Sequence, residues 1–328
     1  MPIITVKDLS KNFKVYKRRT GFWGSLSSTV SRQHDTIKAV DNVNFTLERG
    51  ELVGYIGANG AGKSTTIKML TGILVPTTGH IDVMGLTPYH RRKENARRIG
   101  VVFGQRTQLW WDLPVIDSFE LLKHIYEIPQ NLYKQNLEFF SELLQLEPVL
   151  STPVRKLSLG QRMRCDLTAA LLHNPEILYL DEPTIGLDVV AKEQVRQFLT
   201  QVNVERQVTV ILTTHDLNDV EKVCQRLIII DNGKIIYDGE IDALKKRYGK
   251  TRMLIVDLAQ TYSDIQLEGI NLTRRDGNRI WLAFDRDTVS ASEVITQLTE
   301  RYEIQDLTIS EPEIEEIVRR IYESGKMG

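Results

Sequence analysis

Cysteine is nearly absent: Cys165 and Cys224 are the only two in 328 residues. They stand far apart, so neither a zinc motif nor a disulfide framework is indicated, and a reducing, cytosolic setting is expected. Long apolar runs are missing too. No stretch approaches the roughly 20 residues of a membrane-spanning helix, which excludes a chain that crosses a bilayer by itself. Neither sign of charge is in excess, because 42 Lys and Arg nearly cancel 43 Asp and Glu, leaving −1. This argues against a whole-protein polyanion binder while leaving room for a local basic patch. The start, Met1-Pro2-Ile3-Ile4-Thr5-Val6, lacks a basic stretch followed by an apolar core and cleavage site, so no signal peptide is expected. There is no internal repeat and no long low-complexity segment. What remains, 41% hydrophobic and 26% charged residues, is the composition of an ordinary globular protein. The length points to about two domains, with cores that need no disulfide or structural metal.

Residues 40–47 alternate apolar and polar, and residues 51–56 form a short apolar run that ends in glycine-rich sequence. Both read as strands leading into a loop. Residues 64–70 have helical spacing; Gly72, Pro76 and Gly79 then punctuate the return to a strand at 80–83. From 117 to 150 apolar residues recur every three or four positions, as at Phe119, Leu122, Ile125 and Tyr126, then Leu137, Phe140, Leu143 and Leu144. This middle block is predicted to be helical. Residues 177–180 and 208–212 are compact apolar runs with helices between them, the alternation of a parallel sheet covered on both faces.

The character changes around residues 239–250, where Lys245-Lys246-Arg247 precedes Gly249. A domain boundary is placed there, giving segments 1–240 and 241–328. In the second, residues 252–258 and 279–284 read as strands and Asp276-Gly277 as a hairpin turn. Helices are predicted at 291–301 and 311–323, each opened by a capping box, Ser290 with Glu293 and Ser310 with Glu313.

The strongest chemical signal is Gly57-Ala58-Asn59-Gly60-Ala61-Gly62-Lys63-Ser64, a full G-x-x-x-x-G-K-S between an apolar strand and a helix. Glycines let the backbone wrap closely around phosphate and turn its amides and a helix N-terminus toward the anion. Lys63 reaches the β- and γ-phosphates, and Ser64 is placed to ligate Mg²⁺. Downstream, Ile177-Leu178-Tyr179-Leu180-Asp181-Glu182 is an apolar strand ending in two acids. Asp181 is expected to hold Mg²⁺ and Glu182 to polarise an attacking water as general base.

Between them, Leu157-Ser158-Leu159-Gly160-Gln161 resembles the L-S-G-G-Q signature of the ATP-binding cassette (ABC) family, with Leu159 in place of the first glycine. That position varies within the family more than the serine and second glycine do. The resemblance covers about residues 3–240. It implies an α/β P-loop NTPase of ABC type, with a mixed sheet core, a helical subdomain at about 105–175 and an extended basic and aromatic insertion at 17–36. A small α+β accessory domain follows at 241–328. Ser158, Gly160, Gln161 and the helix N-terminus behind them form a second phosphate-facing surface, although a helix cap would by itself also explain Ser158.

Further site residues follow from the resemblance. Gln105, in Val101-Val102-Phe103-Gly104-Gln105, matches the glutamine that reaches the metal and the attacking water. Asp188, in Gly186-Leu187-Asp188, matches the loop that crosses the dimer interface. His215, in Thr213-Thr214-His215-Asp216, matches the histidine that contacts the γ-phosphate and supports Glu182. Phe13 matches the aromatic that stacks on adenine, with Tyr16 as an alternative. Nucleotide contacts are thus expected at Phe13, Gly57, Asn59, Gly60, Ala61, Gly62, Lys63, Ser64, Thr65, Ser158, Gly160, Gln161 and Asp188. Catalytic roles fall to Glu182, His215 and Gln105, and metal ligation to Ser64, Gln105 and Asp181. The implied cofactors are ATP and Mg²⁺.

A single cassette implies a head-to-tail pair, with a second copy or another ABC subunit completing each site. Hydrolysis of the γ-phosphates between protomers lets the pair open. Without a membrane span, the resemblance to transporter cassettes implies separate integral membrane permease subunits and a peripheral location on the cytoplasmic face of the inner or plasma membrane. No nucleic-acid partner is expected. Trp110-Trp111 fits either a permease-docking anchor or the core of the helical subdomain. Residues 11–38 hold seven Lys and Arg against one Asp, with Phe22 and Trp23 interleaved. They fit a membrane or permease contact or a solvated loop.

Lys17-Arg18-Arg19 with Gly21-Phe22-Trp23-Gly24, the run Gln108-Leu109-Trp110-Trp111-Asp112-Leu113-Pro114, and the C-terminal region together resemble bacterial type-2 exporter ATPases. The C-terminal domain then reads as regulatory or dimer-stabilising. Its acidic last helix (Glu311, Glu313, Glu315, Glu316) equally fits a charged outer face. The competing functions are a soluble cassette ATPase acting on ribosomes or nucleic acid, and an importer subunit. The first is disfavoured by the single cassette and by the lack of a long coiled-coil insertion.

Overall fold

The runs at 177–180 and 208–212 become the central strands of a covered sheet, as their nearly continuous apolar character requires. The computed structural model describes residues 2–16, 34–104, 106–249, 251–285, 287–310 and 314–325. The chain divides into two compact units, Met1–Asp238 and Gly239–Gly328.

In the first unit, β1 (Ile4–Tyr16) pairs antiparallel with β2 (His34–Leu47) and with β4 (Thr78–Val83), forming a three-stranded sheet in the order β2-β1-β4. A second sheet has six strands. They are β3 (Leu52–Ile56), β5 (Ile99–Phe103), β6 (Ile177–Asp181), β7 (Thr209–Thr214), β8 (Arg226–Asp231) and β9 (Lys234–Glu240), in the order β5-β6-β7-β3-β8-β9. The pairs β5/β6, β6/β7, β7/β3 and β3/β8 are parallel. A two-residue turn, Asn232-Gly233 with both φ positive, brings β9 back beside β8, so the sheet is mixed. One apolar core spans both sheets and α1 (Lys63–Leu70), with Ile4, Val43, Ile67, Ile81, Ile177 and Ile228 buried in it. Each such side chain contributes roughly 1.5–3 kcal/mol of burial free energy. Tyr55 and Tyr179 are fully buried within this core, and burial pushes both phenols up.

The helical part comprises α3 (Val115–Ile125), α4 (Gln130–Leu143) and α5 (Leu159–Leu171), preceded by the short α2 (Arg92–Ala96) after β4. The predicted middle block is therefore not one helix. It breaks after Tyr126, where Glu127 adopts a left-handed φ of 56° and Pro129 caps the next helix. A proline disfavours helical backbone at the residue before it, which sets the break. The long α6 (Val189–Arg206) and the short α7 (Leu217–Val223) flank β7. The end of the expected 17–36 insertion falls within β2. His34, Asp35 and Thr36 pair in β2 with Tyr16, Val15 and Lys14, extending the hairpin, while residues 17–33 lie outside the described residues.

The second unit opens with α8 (Ile241–Tyr248) and carries a four-stranded antiparallel sheet. Its strands are β10 (Thr251–Leu258), β11 (Ile270–Asp276), β12 (Arg279–Asp285) and β13 (Ile304–Ser310), in the order β11-β12-β10-β13. Leu254, Val256, Leu258, Ile280, Leu282 and Phe284 face α9 (Ala291–Arg301) in a separate core. The Ser290–Glu293 capping box is present. In this unit β11 and β13 escape the sequence reading because their patterns are largely polar and exposed. The last predicted helix, 311–323, is described as α10 over Ile314–Gly325 and buries Ile314, Ile317, Val318 and Ile321. Of the predicted Ser310–Glu313 box, Ser310 is the last residue of β13, while Glu311 and Glu313 lie outside the described residues.

Candidate ATP site

The glycine-rich loop joins β3 to α1 with no room for side chains at its two ends. A Cβ on Gly57 would stand 2.4 Å from the Ile230 carbonyl oxygen, and one on Gly62 (φ 115°) would stand 2.5 Å from that of Ala39. Gly60, by contrast, faces open space. Lys63 folds back onto the loop, its Nζ donating to the carbonyls of Gly57 (2.7 Å) and Ala58 (3.3 Å). Burial lowers its pKa, while the carboxylates of Glu182 and Asp181 act in the opposite direction. No side chain caps α1, so the amides of its first turn are left for an anion. Thr65 sits half-buried in that turn.

Parallel pairing aligns the tips of β6 and β7 opposite this loop. Asp181 Oδ1 accepts from Thr213 Oγ1 at 2.6 Å and from Ser64 Oγ at 3.2 Å. A hydroxyl and a carboxylate at one point form a hard-oxygen set suited to Mg²⁺. Glu182 follows at φ 58°, a left-handed backbone that costs a non-glycine residue about 1–3 kcal/mol. Its amide donates to the Thr213 carbonyl at 2.9 Å, holding this conformation. His215 Nδ1 lies 2.9 Å from Glu182 Oε2. With the carboxylate ionised, Nδ1 is the donor and Nε2 the free ring nitrogen. Ser64, Asp181 and Glu182 line a cavity of about 840 Å³ that extends along Phe103 and Gly104 to Thr107, Gln108 and Asp166. Gln105 lies outside the described residues.

The other expected nucleotide contacts gather elsewhere. Ser158 caps α5, its Oγ accepting from the Gln161 amide while Gln161 Oε1 accepts from the Ser158 amide. Asp188 caps α6 by accepting from the Ala191 amide at 2.8 Å. These two helix starts adjoin, because a Cβ on Gly160 would lie 3.2 Å from Ala191 Cβ and one on Gly186 3.0 Å from Leu159 Cδ2. Leu159, the departure from the family signature, thus packs over the loop before α6. Among the described residues, no hydrogen bond or ion pair joins Ser158, Gly160, Gln161 or Asp188 to Lys63 or Asp181. Phe13 pairs across the hairpin with Ile37 and is exposed, with Lys11 Nζ 5.4 Å from its ring centre. The side chain of Tyr16, the alternative, is not described. Trp110 and Trp111 are 39% and 50% exposed, so they are not core residues. The Arg162 guanidinium lies 5.6 Å from the Trp111 ring.

Sequence reasoning missed two groups. Thr213 completes the Asp181 cluster, and its place beside Asp181 follows only from strand register. Thr184 Oγ1 donates to the buried Asp219 at 2.5 Å, and Arg196 stands 3.0 Å from the same carboxylate. This ties the segment after Glu182 to the helix after His215. Neither group carries a motif.

A strand, a phosphate loop, a helix and acids at the tip of a strand one place removed in the same sheet define a P-loop NTPase. Comparison with known proteins narrows the class. The ABC transporter family model matches residues 40–185. Over 242 residues the chain is 31% identical to the ABC transporter ATP-binding protein NatA of Bacillus subtilis, spanning 74% of this chain and 91% of that protein. It is 30% identical to the methionine import ATP-binding protein MetN 3 of Shouchella clausii over 90% of this chain and 88% of that one. Identity is 33% to the Nod factor export ATP-binding protein I of Ralstonia nicotianae over 69% and 68%. A solved dimeric ATP-binding cassette, MJ0796, in a post-hydrolysis state with ADP and Pi, superposes with TM-score 0.60 at 26% identity over 73% of this chain and 98% of its own. The chain belongs to the ABC transporter family as an ATP-binding, ATP-hydrolysing subunit. Among the described residues, no helix is long and apolar enough to cross a membrane.

Proposed function

We propose that this subunit works as a head-to-tail pair of identical chains that drives export through a separate permease at the cytoplasmic face of the membrane. The observation that carries the reading is the separation of the two half-sites. Within one chain the signature end of α5 is occupied with its own cap and with the loop before α6. Ser64, Asp181 and Glu182 line a cavity that Ser158, Gly160 and Gln161 do not line, and Lys63 lies on the phosphate loop next to Ser64. A second chain's Ser158, Gly160 and Gln161, together with Asp188, are then needed to close on the nucleotide. The dimeric state of MJ0796 supports this arrangement. Export is favoured by the resemblance of residues 17–24 and 108–114 to type-2 exporters, and the exposed Trp110 and Trp111 offer an anchor for the permease.

In this reading Phe13 stacks on adenine and Lys63 with the α1 amides holds the phosphates. Ser64 and Asp181, with Gln105, would hold Mg²⁺, which supplies positive charge to the β- and γ-phosphates. Glu182 accepts a proton from water as the water oxygen bonds to the γ-phosphorus and the bond to ADP breaks. His215 Nδ1 orients that carboxylate. The basic segment at residues 11–38 contacts the membrane surface or the permease. The domain limits are set at 1–240 and 241–328, with the second regulating or stabilising the pair.

The test is purification from membranes. Co-purification with an integral membrane protein, together with ATP-dependent efflux from vesicles, supports the proposal, whereas association with ribosomes or DNA that survives moderate salt contradicts it. Import is the second reading, favoured by the methionine import relative that spans 90% of the chain. Uptake instead of efflux in the same vesicles would establish it.

A further inference from the structure

Asp166 lies in α5, two turns beyond the Ser158 cap, and is only 4% exposed. Its Oδ1 accepts from Thr107 Oγ1 at 2.8 Å and from the Gln108 amide at 3.0 Å. Gln108 Nε2 donates in turn to the Asp166 backbone oxygen at 3.0 Å, and the Leu109 amide donates to Thr107 Oγ1 at 3.1 Å. One carboxylate therefore gathers three consecutive residues, 107–109, onto the helix that begins with the signature. All three polar partners, Thr107, Gln108 and Asp166, also line the cavity that holds Ser64, Asp181 and Glu182. The segment leaves β5 next to β6, whose Asp181 pairs in register with Phe103.

We propose that Asp166 is a positioning residue for ATP hydrolysis, fixing the wall of the catalytic cavity at residues 107–109 to the signature helix so that the two move as one body. The inference rests on the reading of that cavity as the ATPase site.

The electrostatics agree with a role beyond packing. Burial pushes the Asp166 carboxyl up to about 6, opposed by the hydrogen bonds from Thr107 and Gln108 and by the charge of Arg162. An apolar residue here would avoid that desolvation, so the carboxylate costs the fold stability. Any displacement of the wall is transmitted to the reacting groups, where misplacement by about 1 Å can cost on the order of a hundredfold in rate. Among the described residues, no hydrogen bond joins the phosphate loop or α1 to Asp166, so its loss is expected to fall on turnover rather than on ground-state ATP binding.

The experiment compares full-length Asp166→Ala, Asp166→Asn and Thr107→Val for kcat, KM for ATP and Tm, with kcat expressed per folded molecule. In Asp166→Ala, kcat falls about tenfold with KM within about twofold of wild type, the pattern of a group that acts only in the transition state. Asparagine keeps an acceptor oxygen for both donors, so Asp166→Asn stays within about threefold of wild type. Thr107→Val, which removes one donor, lies between and serves if Asp166→Ala does not fold. Equal kcat per folded molecule in Asp166→Ala overturns the proposal, as does an Asp166→Asn variant no better than Asp166→Ala. So does Thr107→Val at wild-type kcat when Asp166→Ala does not fold. Glu182→Gln is the separate control: undiminished hydrolysis there would overturn the ATPase site itself, whatever the Asp166 variants do.

Discussion

The buried carboxylate of Asp166 predicts an unusual pH dependence of stability. Its pKa is raised from an ordinary 3.8 to about 6 by burial. A group raised in the folded state contributes stability that is fully present below its unfolded pKa and is lost as pH rises through its folded one. Roughly two pKa units at 1.36 kcal/mol each make the total about 3 kcal/mol, and about 1.4 kcal/mol of it is lost between about pH 5 and pH 8. Asp166→Asn removes the titration and keeps an oxygen for Thr107 and Gln108. The advantage of the variant should therefore be near zero below about pH 4 and reach about 3 kcal/mol at about pH 8. That corresponds to a urea midpoint roughly 1 M higher for a unit of this size. Urea unfolding of the nucleotide-free full chain at several pH values and constant ionic strength reads this directly. A midpoint difference that does not change with pH, or one that favours wild type at high pH, would refute the reasoning.

Three further predictions follow from the site. Glu182→Gln should retain ATP binding and lose about 10²–10⁴-fold in turnover, measured as phosphate release; near-normal release removes Glu182 from the base role. Thr213→Val leaves Asp181 Oδ1 with only the longer Ser64 bond. Losing a hydrogen bond to a charged acceptor costs about 1.5–3 kcal/mol, so the Mg²⁺ concentration for half-maximal activity should rise about tenfold or more; an unchanged Mg²⁺ titration contradicts the assigned cluster. Deleting residues 21–33 should leave the isolated ATPase within about twofold while impairing permease-coupled transport, because the β1–β2 pairing up to Tyr16 and His34 is kept; unaffected transport rules out a contact role.

Some of this was legible from residue order alone. The phosphate loop, the strand before Asp181 and the strand before His215 each combine an apolar run with a local motif, and each was found at its place in the sheet. The mixed character of that sheet rests on β9, whose pattern is half-exposed throughout and gives no alternation to read. The Asp276-Gly277 turn was legible, yet β11 before it exposes nearly every side chain and so lacks the period that marks a strand. The helical block was misjudged at 126–129 because the apolar recurrence continues across a break set by Glu127 backbone and Pro129. What no local pattern carries is pairing between distant segments. Thr213 on Asp181, Thr107 on Asp166 and Thr184 on Asp219 join residues 32, 59 and 35 positions apart. These are ordinary threonines and aspartates until register and helix packing bring them together. The left-handed backbone of Glu182 belongs to the same class, since the Thr213 carbonyl that accepts from its amide is distant in sequence.

The central claim is that a site built around Lys63 and Glu182 in one chain is completed by Ser158 of another. Analytical ultracentrifugation of Glu182→Gln tests it most directly, because that variant traps bound ATP. The expected result is a single copy without nucleotide and a two-copy species with ATP and Mg²⁺. The two-copy species should disappear when Ser158→Arg is added, even though ATP still binds the phosphate loop. A chain that remains a single copy with ATP bound while wild type hydrolyses ATP as a single copy would contradict it.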